Sequence, residues 1–196
     1  SRPAFGRTAL RITGGVGGEG NGANDIYIAD NRFLGWDDPM IGGGGRGGGA
    51  HNGGGARHNA LLIDFASNAP DEAPFNVHDI VFERNIVTNY ETGMALDNAY
   101  NFTLRNNVFV SPINSNPLNL GSGGSGGLSR PLRDIYILGN TFLSDDNIEY
   151  GDARKSMVKV VQYAGPTTYG DHNENIQIRN NILYNYSTTS SITAIN

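Results

Sequence analysis

The chain has 196 residues, enough for one domain with its own core, taken here as 1–196. Only 17% of residues are charged and 28 are Gly, which argues against a helical bundle and for short strands joined by turns. A net charge of −5 argues against nonspecific nucleic-acid binding, the lack of Cys excludes disulfides and thiolate chemistry, and no apolar run is long enough to span a membrane.

Alternating apolar pairs mark the strands in chain order. Leu10/Ile12 is the first, and NDIYIADNRF (Asn24–Phe33) is the second, with Ile26, Ile28, Asn31 and Phe33 as anchors. A Gly-rich insertion over 35–60 precedes Leu61/Ile63, and a loop over 66–75 follows it. VHDIVFERNIV then repeats the earlier spelling with Ile80, Phe82, Asn85 and Val87. Met94/Leu96 leads to Phe102, Leu104, Asn107 and Phe109. Leu118/Leu120, a loop over 121–133, and Ile135, Ile137, Asn140 and Phe142 come next. After a loop over 144–155 come Val158/Val160, a loop over 164–174, and Ile176, Ile178, Asn181 and Leu183. Ile192/Ala194 is the last pair. Asp or Asn precedes each first anchor: Asp25, Asp79, Asn101, Asp134 and Asn175.

The shortest interval between turn Asn residues, Asn85 to Asn107, is 22 residues and sets the unit; longer intervals carry insertions. Three short strands per unit, with insertions at two corners, predict a parallel β-helix of about five to six rungs and three short parallel sheets. Rungs stacked about 4.8 Å apart bury apolar columns only when neighbours are present. The Asn is expected to take a left-handed backbone at the tight corner and to hydrogen-bond from rung to rung. An antiparallel sandwich with Asn-rich hairpins is the competing fold, but its turns would not repeat one spelling at one corner.

The unit I-x-I-x-x-N-x-[FILV] resembles the repeat of right-handed parallel β-helix proteins of the pectate-lyase-like superfamily, from Leu10 to Ala194. The resemblance implies an all-β, right-handed solenoid. It leaves function open, since the superfamily holds lyases, hydrolases, epimerases, tailspikes and adhesins. Such proteins are secreted or exposed at the cell surface. The chain starts almost in a rung and stops within another, so it is expected to be part of a longer helix, or to meet a neighbouring β-helix subunit at its ends.

The resemblance implies that the strand between the two variable corners floors a substrate groove. Its expected outward residues are Arg11, Asp64, Asp97, Asn119 and Lys159. Asp64 and Asp97 hold equivalent positions in consecutive units, so they would either share a proton, bind a cation such as Ca²⁺, or stand apart in water. Asp64, Asp97 and Lys159 are the catalytic candidates: the resembled lyases pair Ca²⁺ with a basic proton acceptor, and the hydrolases use two carboxylates. Arg11, Arg57, His58, Asn119 and Arg154 are the substrate-binding candidates. A plain solvated face competes with all of these roles. The G-H-G, R-x-K, W-x-D-H and R-x-P-x-x-R signatures of the catalytic relatives are missing. A structural or binding role with polysaccharide is therefore placed slightly ahead of a lyase, epimerase or hydrolase acting on an acidic glycan.

Overall fold

The computed structural model describes residues 8–14, 23–34, 59–65, 77–88, 92–96, 99–110, 117–120, 132–144, 156–160, 173–185 and 193–195. They form sixteen strands: β1 (Thr8–Gly14), β2 (Ile26–Ala29), β3 (Arg32–Leu34), β4 (Asn59–Phe65), β5 (Val77–Glu83), β6 (Ile86–Thr88), β7 (Thr92–Leu96), β8 (Ala99–Arg105), β9 (Val108–Val110), β10 (Leu118–Leu120), β11 (Arg133–Leu138), β12 (Thr141–Ser144), β13 (Ser156–Val160), β14 (Glu174–Arg179), β15 (Ile182–Asn185) and β16 (Thr193–Ile195).

Every pairing is parallel, and every third strand joins the same sheet. Sheet A runs β1-β4-β7-β10-β13-β16, sheet B β2-β5-β8-β11-β14, and sheet C β3-β6-β9-β12-β15. Among the described residues there is no helix. This all-β, all-parallel arrangement is consistent with a β-solenoid.

Register follows the apolar anchors. In sheet B, Ile26, Ile80, Phe102, Ile135 and Ile176 align, as do Ile28, Phe82, Leu104, Ile137 and Ile178. In sheet C, Phe33, Val87, Phe109, Phe142 and Leu183 align. The central members are fully buried, and the members in the outermost strands are half-buried. Phe109 and Phe142 stack with ring centroids 5.0 Å apart, and Phe33 and Phe82 at 5.6 Å. Each fully buried side chain of this size contributes roughly 1.5–3 kcal/mol, so an interior repeat is stabilised by both neighbours and an outer one by a single neighbour.

The turn from sheet B to sheet C has two residues in every repeat: 30–31, 84–85, 106–107, 139–140 and 180–181. The second is the repeated Asn, and it forms a continuous ladder. The backbone N–H of Asn31, Asn85, Asn107 and Asn140 donates to Oδ1 of the next Asn at 2.9, 2.9, 2.9 and 2.8 Å. The Nδ2 of each donates to the same Oδ1 at 2.9–3.2 Å. Nδ2 of Asn85, Asn107, Asn140 and Asn181 also reaches back to Ile28 O, Phe82 O, Leu104 O and Ile137 O.

The left-handed residue is not this Asn. It is the one before it: Asp30, Arg84, Asn106, Gly139 and Asn180, with φ of 59, 53, 55, 63 and 55°. The Asn is selected for its amide, the one side chain of that length with both an acceptor and two donors. A second left-handed column explains the Asp or Asn before each first anchor: Asp25, Asp79, Asn101, Asp134 and Asn175 have φ of 48–54°. These residues bend the sheet B chain just ahead of its apolar pair, a conformation that Asp and Asn tolerate.

The last strand departs from expectation. Val158 aligns with Ile195 and not with Ile192, the first residue of the expected pair, and Ser156 aligns with Thr193. A displacement by an odd number of residues, here three, exchanges the two faces of a strand. Here it puts Ile195, which remains 46% exposed, next to Val158 in the Leu118–Val158 row.

Candidate functional site

All segments of variable length adjoin sheet A. Before and after its strands lie 15–25, 35–58, 66–76, 111–117, 121–132, 145–155, 161–173 and 186–192, whereas 89–91 and 97–98, on either side of β7, are short. The B-to-C turn never changes length. Binding groups accumulate on connections that can vary without disturbing the scaffold, so sheet A is the face on which a site can be built.

Register sorts the candidates into two rows. Arg11, Leu62, Ala95, Asn119 and Lys159 align across β1, β4, β7, β10 and β13. Asp64 aligns with Thr13, two residues further along the strands. Ile63 aligns with Leu96, so the position following Leu96 is the one that would continue the Asp64 row. Asp97 itself lies outside the described residues, as do Arg57, His58 and Arg154. Three strand spacings and two residues separate the backbones of Asp64 and Lys159 by about 16 Å. Sheet A therefore brings Arg11, Asn119 and Lys159 into one row and keeps Asp64 apart from Lys159.

Asn119 was expected on the solvated side, opposite Leu118 and Leu120. It is opposite them by alternation, yet all three are buried, Asn119 at 3% exposure. Met157 beside Val158 is likewise buried at 2%. Sheet A is thus shielded on both faces here, whereas sheet C leaves Ile86 and Ile182 at 41% and 60% exposure on its outer face. Among the described residues, Asn119 Oδ1 meets no hydrogen-bond partner. A buried acceptor without a donor costs about 1–3 kcal/mol, so this position carries a polar group that core packing does not require.

Among the described residues, no three His, Asp or Glu side chains gather in a way that would hold a metal ion. No helix among them is long and apolar enough to cross a membrane.

The strongest electrostatic cluster lies on the outer face of sheet B and is absent from the sequence-derived candidates. Glu83 accepts hydrogen bonds from Tyr27 and Arg84 through Oε1 and from Arg105 through Oε2. Arg84 also holds both oxygens of Asp30, at 2.8 and 2.7 Å, and donates to Tyr27 Oη at 3.1 Å. The Tyr27 and Arg105 hydrogen bonds, with Arg84, hold the Glu83 carboxyl at about 2, well below its usual range. The Arg84 hydrogen bonds lower Asp30 in the same direction, and Asp30 with its partners raises Arg84. Each charge has an opposite within reach, so the cluster clamps three repeats together and offers no poised acid or base. It also offsets the roughly 1–2 kcal/mol cost of a left-handed Arg84. The sequence signal is the register column Ala29, Glu83, Arg105, Leu138 and Arg179, which sets an acid beside a base only once repeats are stacked.

A second pair sits at the bend of sheet B. His78 Nδ1 lies 2.7 Å from Asp79 Oδ2, and Asn101 Nδ2 donates to Asp79 Oδ1. His78 and Asn101 hold the Asp79 carboxyl below its usual range. Asn175 repeats the contact by donating to Asp134 Oδ1 at 2.6 Å.

Comparison with protein-family models, curated proteins and solved structures finds no match for the chain.

Proposed function

We propose that the chain is a stretch of right-handed parallel β-helix of the pectate-lyase-like kind, secreted or displayed at a cell surface, that binds polysaccharide along sheet A in a structural or adhesive role. The observation that carries this reading is the asymmetry of the connections. A spacer would keep all three corners short, whereas here the sheet A corners alone vary in length. The row that aligns Arg11 and Lys159 across sheet A adds support, because sugar carboxylates need cationic donors of this kind. Arg57, His58 and Arg154 are proposed to reach the same ligand from the neighbouring connections.

The test is affinity electrophoresis through gels that contain uronate polymers or neutral glucans. The reading expects retardation by at least one acidic polymer and weaker retardation for Lys159→Ala. Equal mobility in every gel would remove polysaccharide from the account. The alternative is a lyase, epimerase or hydrolase built on Asp64, Asp97 and Lys159, with Ca²⁺ held by the two carboxylates. It is favoured by the Ile63–Leu96 register, since Asp64 and Asp97 each follow one of these aligned residues in the sequence. Incubation with uronate polymers and Ca²⁺, followed by ultraviolet absorbance of unsaturated product, separates a lyase from simple binding. Loss of that signal with a chelator would assign Ca²⁺ a part.

A further inference from the structure

The outer face of sheet B carries a second arrangement beside the Glu83 cluster. It centres on β11, which has a strand on either side. Ile135 and Ile137 are buried in the core, so Tyr136 and Leu138 alternate outward along the strand, each half-buried. Register sets Thr103 and Gln177 on either side of Tyr136, and Arg105 and Arg179 on either side of Leu138. An apolar stripe about 7 Å long is therefore bordered by hydrogen-bonding groups, with a guanidinium on each flank. Both arginines are exposed, and their backbones stand about 10 Å apart, which lets both side chains reach a group lying on Leu138. These two rows hold no carboxylate. Arg105 donates to Glu83 through Nε, and β5, which carries Glu83, lies on the side of β8 away from β11. Asn175 fixes the polar rim. Its Nδ2 donates to Asp134 Oδ1 at 2.6 Å and to Tyr136 Oη at 3.2 Å, and its Oδ1 accepts from Gln177 Nε2 at 2.8 Å. Tyr136 and Gln177 are thus held in position by a common partner.

We propose that this face is a binding site for one uronate unit of an acidic glycan, with the sugar ring on Tyr136 and Leu138 and its carboxylate held by Arg179 and Arg105. A sugar ring turns C–H groups to an apolar or aromatic surface and keeps hydroxyls at its edge, which suits a stripe with a hydrogen-bonding rim. A carboxylate suits a guanidinium, whose planar fork pairs with it through two parallel hydrogen bonds. Thr103 and Gln177 supply a hydroxyl and an amide, each able to donate and to accept, for the sugar hydroxyls. The net charge of −5 disfavours nucleic acid as the occupant. The site lies on sheet B, and the inference is independent of the sheet A reading.

The probe is trigalacturonate, with maltotriose as its neutral counterpart. Binding to the full chain is followed by titration calorimetry and by the tyrosine ultraviolet difference spectrum, which reports a ring brought against ligand. The expected result is saturable binding of trigalacturonate with a tyrosine signal, and binding of maltotriose weaker by about tenfold or more. Arg179→Ala is expected to weaken trigalacturonate by about tenfold or more, the loss of a charge-assisted pair. Tyr136→Leu is expected to remove the tyrosine signal and to weaken binding. Arg32→Ala, which takes an exposed cation from sheet C, is expected to change neither readout. Arg179 and Arg32 are both exposed, so circular dichroism should stay that of the wild type in either variant. Absence of saturable binding, comparable affinity for maltotriose, or unchanged affinity in Arg179→Ala would each overturn the proposal. Binding that stays at full strength in Arg179→Ala and Tyr136→Leu but falls in Lys159→Ala would place the glycan on sheet A alone and overturn it as well.

Discussion

Replacing Asn107 by Ala removes the centre of the ladder. Its Oδ1 accepts from Asn85 N at 2.9 Å and Asn85 Nδ2 at 3.2 Å, and its Nδ2 donates to Phe82 O, Arg105 O and Asn140 Oδ1 at 2.9, 3.0 and 2.9 Å. Asn107 is 1% exposed and Asn85 is equally buried, so water does not replace the lost partners. Two of these contacts are critical: the Asn85 N–H loses the acceptor it has in the ladder, and Phe82 O loses a donor. At about 1–3 kcal/mol for each buried group left unsatisfied, the expected cost is roughly 3–5 kcal/mol. Asn31→Ala is the matched control. Its amide is exposed and, among the described residues, donates to Ala29 O and Asn85 Oδ1, so its expected cost is about 1 kcal/mol or less. Asn107→Asp should cost at least as much as Asn107→Ala, since it keeps the acceptor but sets a buried carboxylate oxygen against Phe82 O, Arg105 O and Asn140 Oδ1. Equilibrium urea unfolding followed by far-ultraviolet circular dichroism measures all three. If Asn107→Ala and Asn31→Ala cost the same within about 0.5 kcal/mol, the ladder is not what holds the corner, and the reasoning fails.

Two further outcomes follow from the same geometry. Glu83 has its pKa lowered from 4.5 to about 2. The stability it contributes is thus present above its ordinary value and is lost as pH falls from there towards 2. Melting temperature measured across that window should drop steeply for the wild type and less steeply for Glu83→Gln; parallel curves would show that the clamp contributes nothing. Gly139 has φ of 63°, and a Cβ there would lie 2.9 Å from Asn106 Oδ1. Gly139→Ala should therefore lower stability by about 1–2 kcal/mol in thermal or urea unfolding, with Asn106→Gly in the same chain recovering the steric part.

The amino-acid sequence alone determined the strands, their order and the alignment of their apolar anchors. The I-x-I-x-x-N-x-apolar spelling carries the period of two, the turn and the unit length together, and an inward column exists only if equivalent positions stack. It also marked the Asn as a ladder residue, since a repeated amide at one corner has few other uses. Four matters were decided by the tertiary structure. The left-handed residue is the one before the Asn, at positions as unlike as Asp30, Arg84 and Gly139, because backbone shape there is imposed by the turn and not by one side chain. β16 aligns Ile195 with Val158, because the register of a short strand is set by the pairing it finds in the sheet and not by its own alternation. Asn119 is buried, because burial depends on what covers a strand and not on its alternation. Glu83, Arg84, Arg105, Tyr27 and Asp30 meet only because stacking brings residues up to 57 positions apart within hydrogen-bond distance. A repeat fixes which rows exist; which charges become neighbours across those rows depends on the length of every insertion between them, and that is resolved only when the chain has stacked.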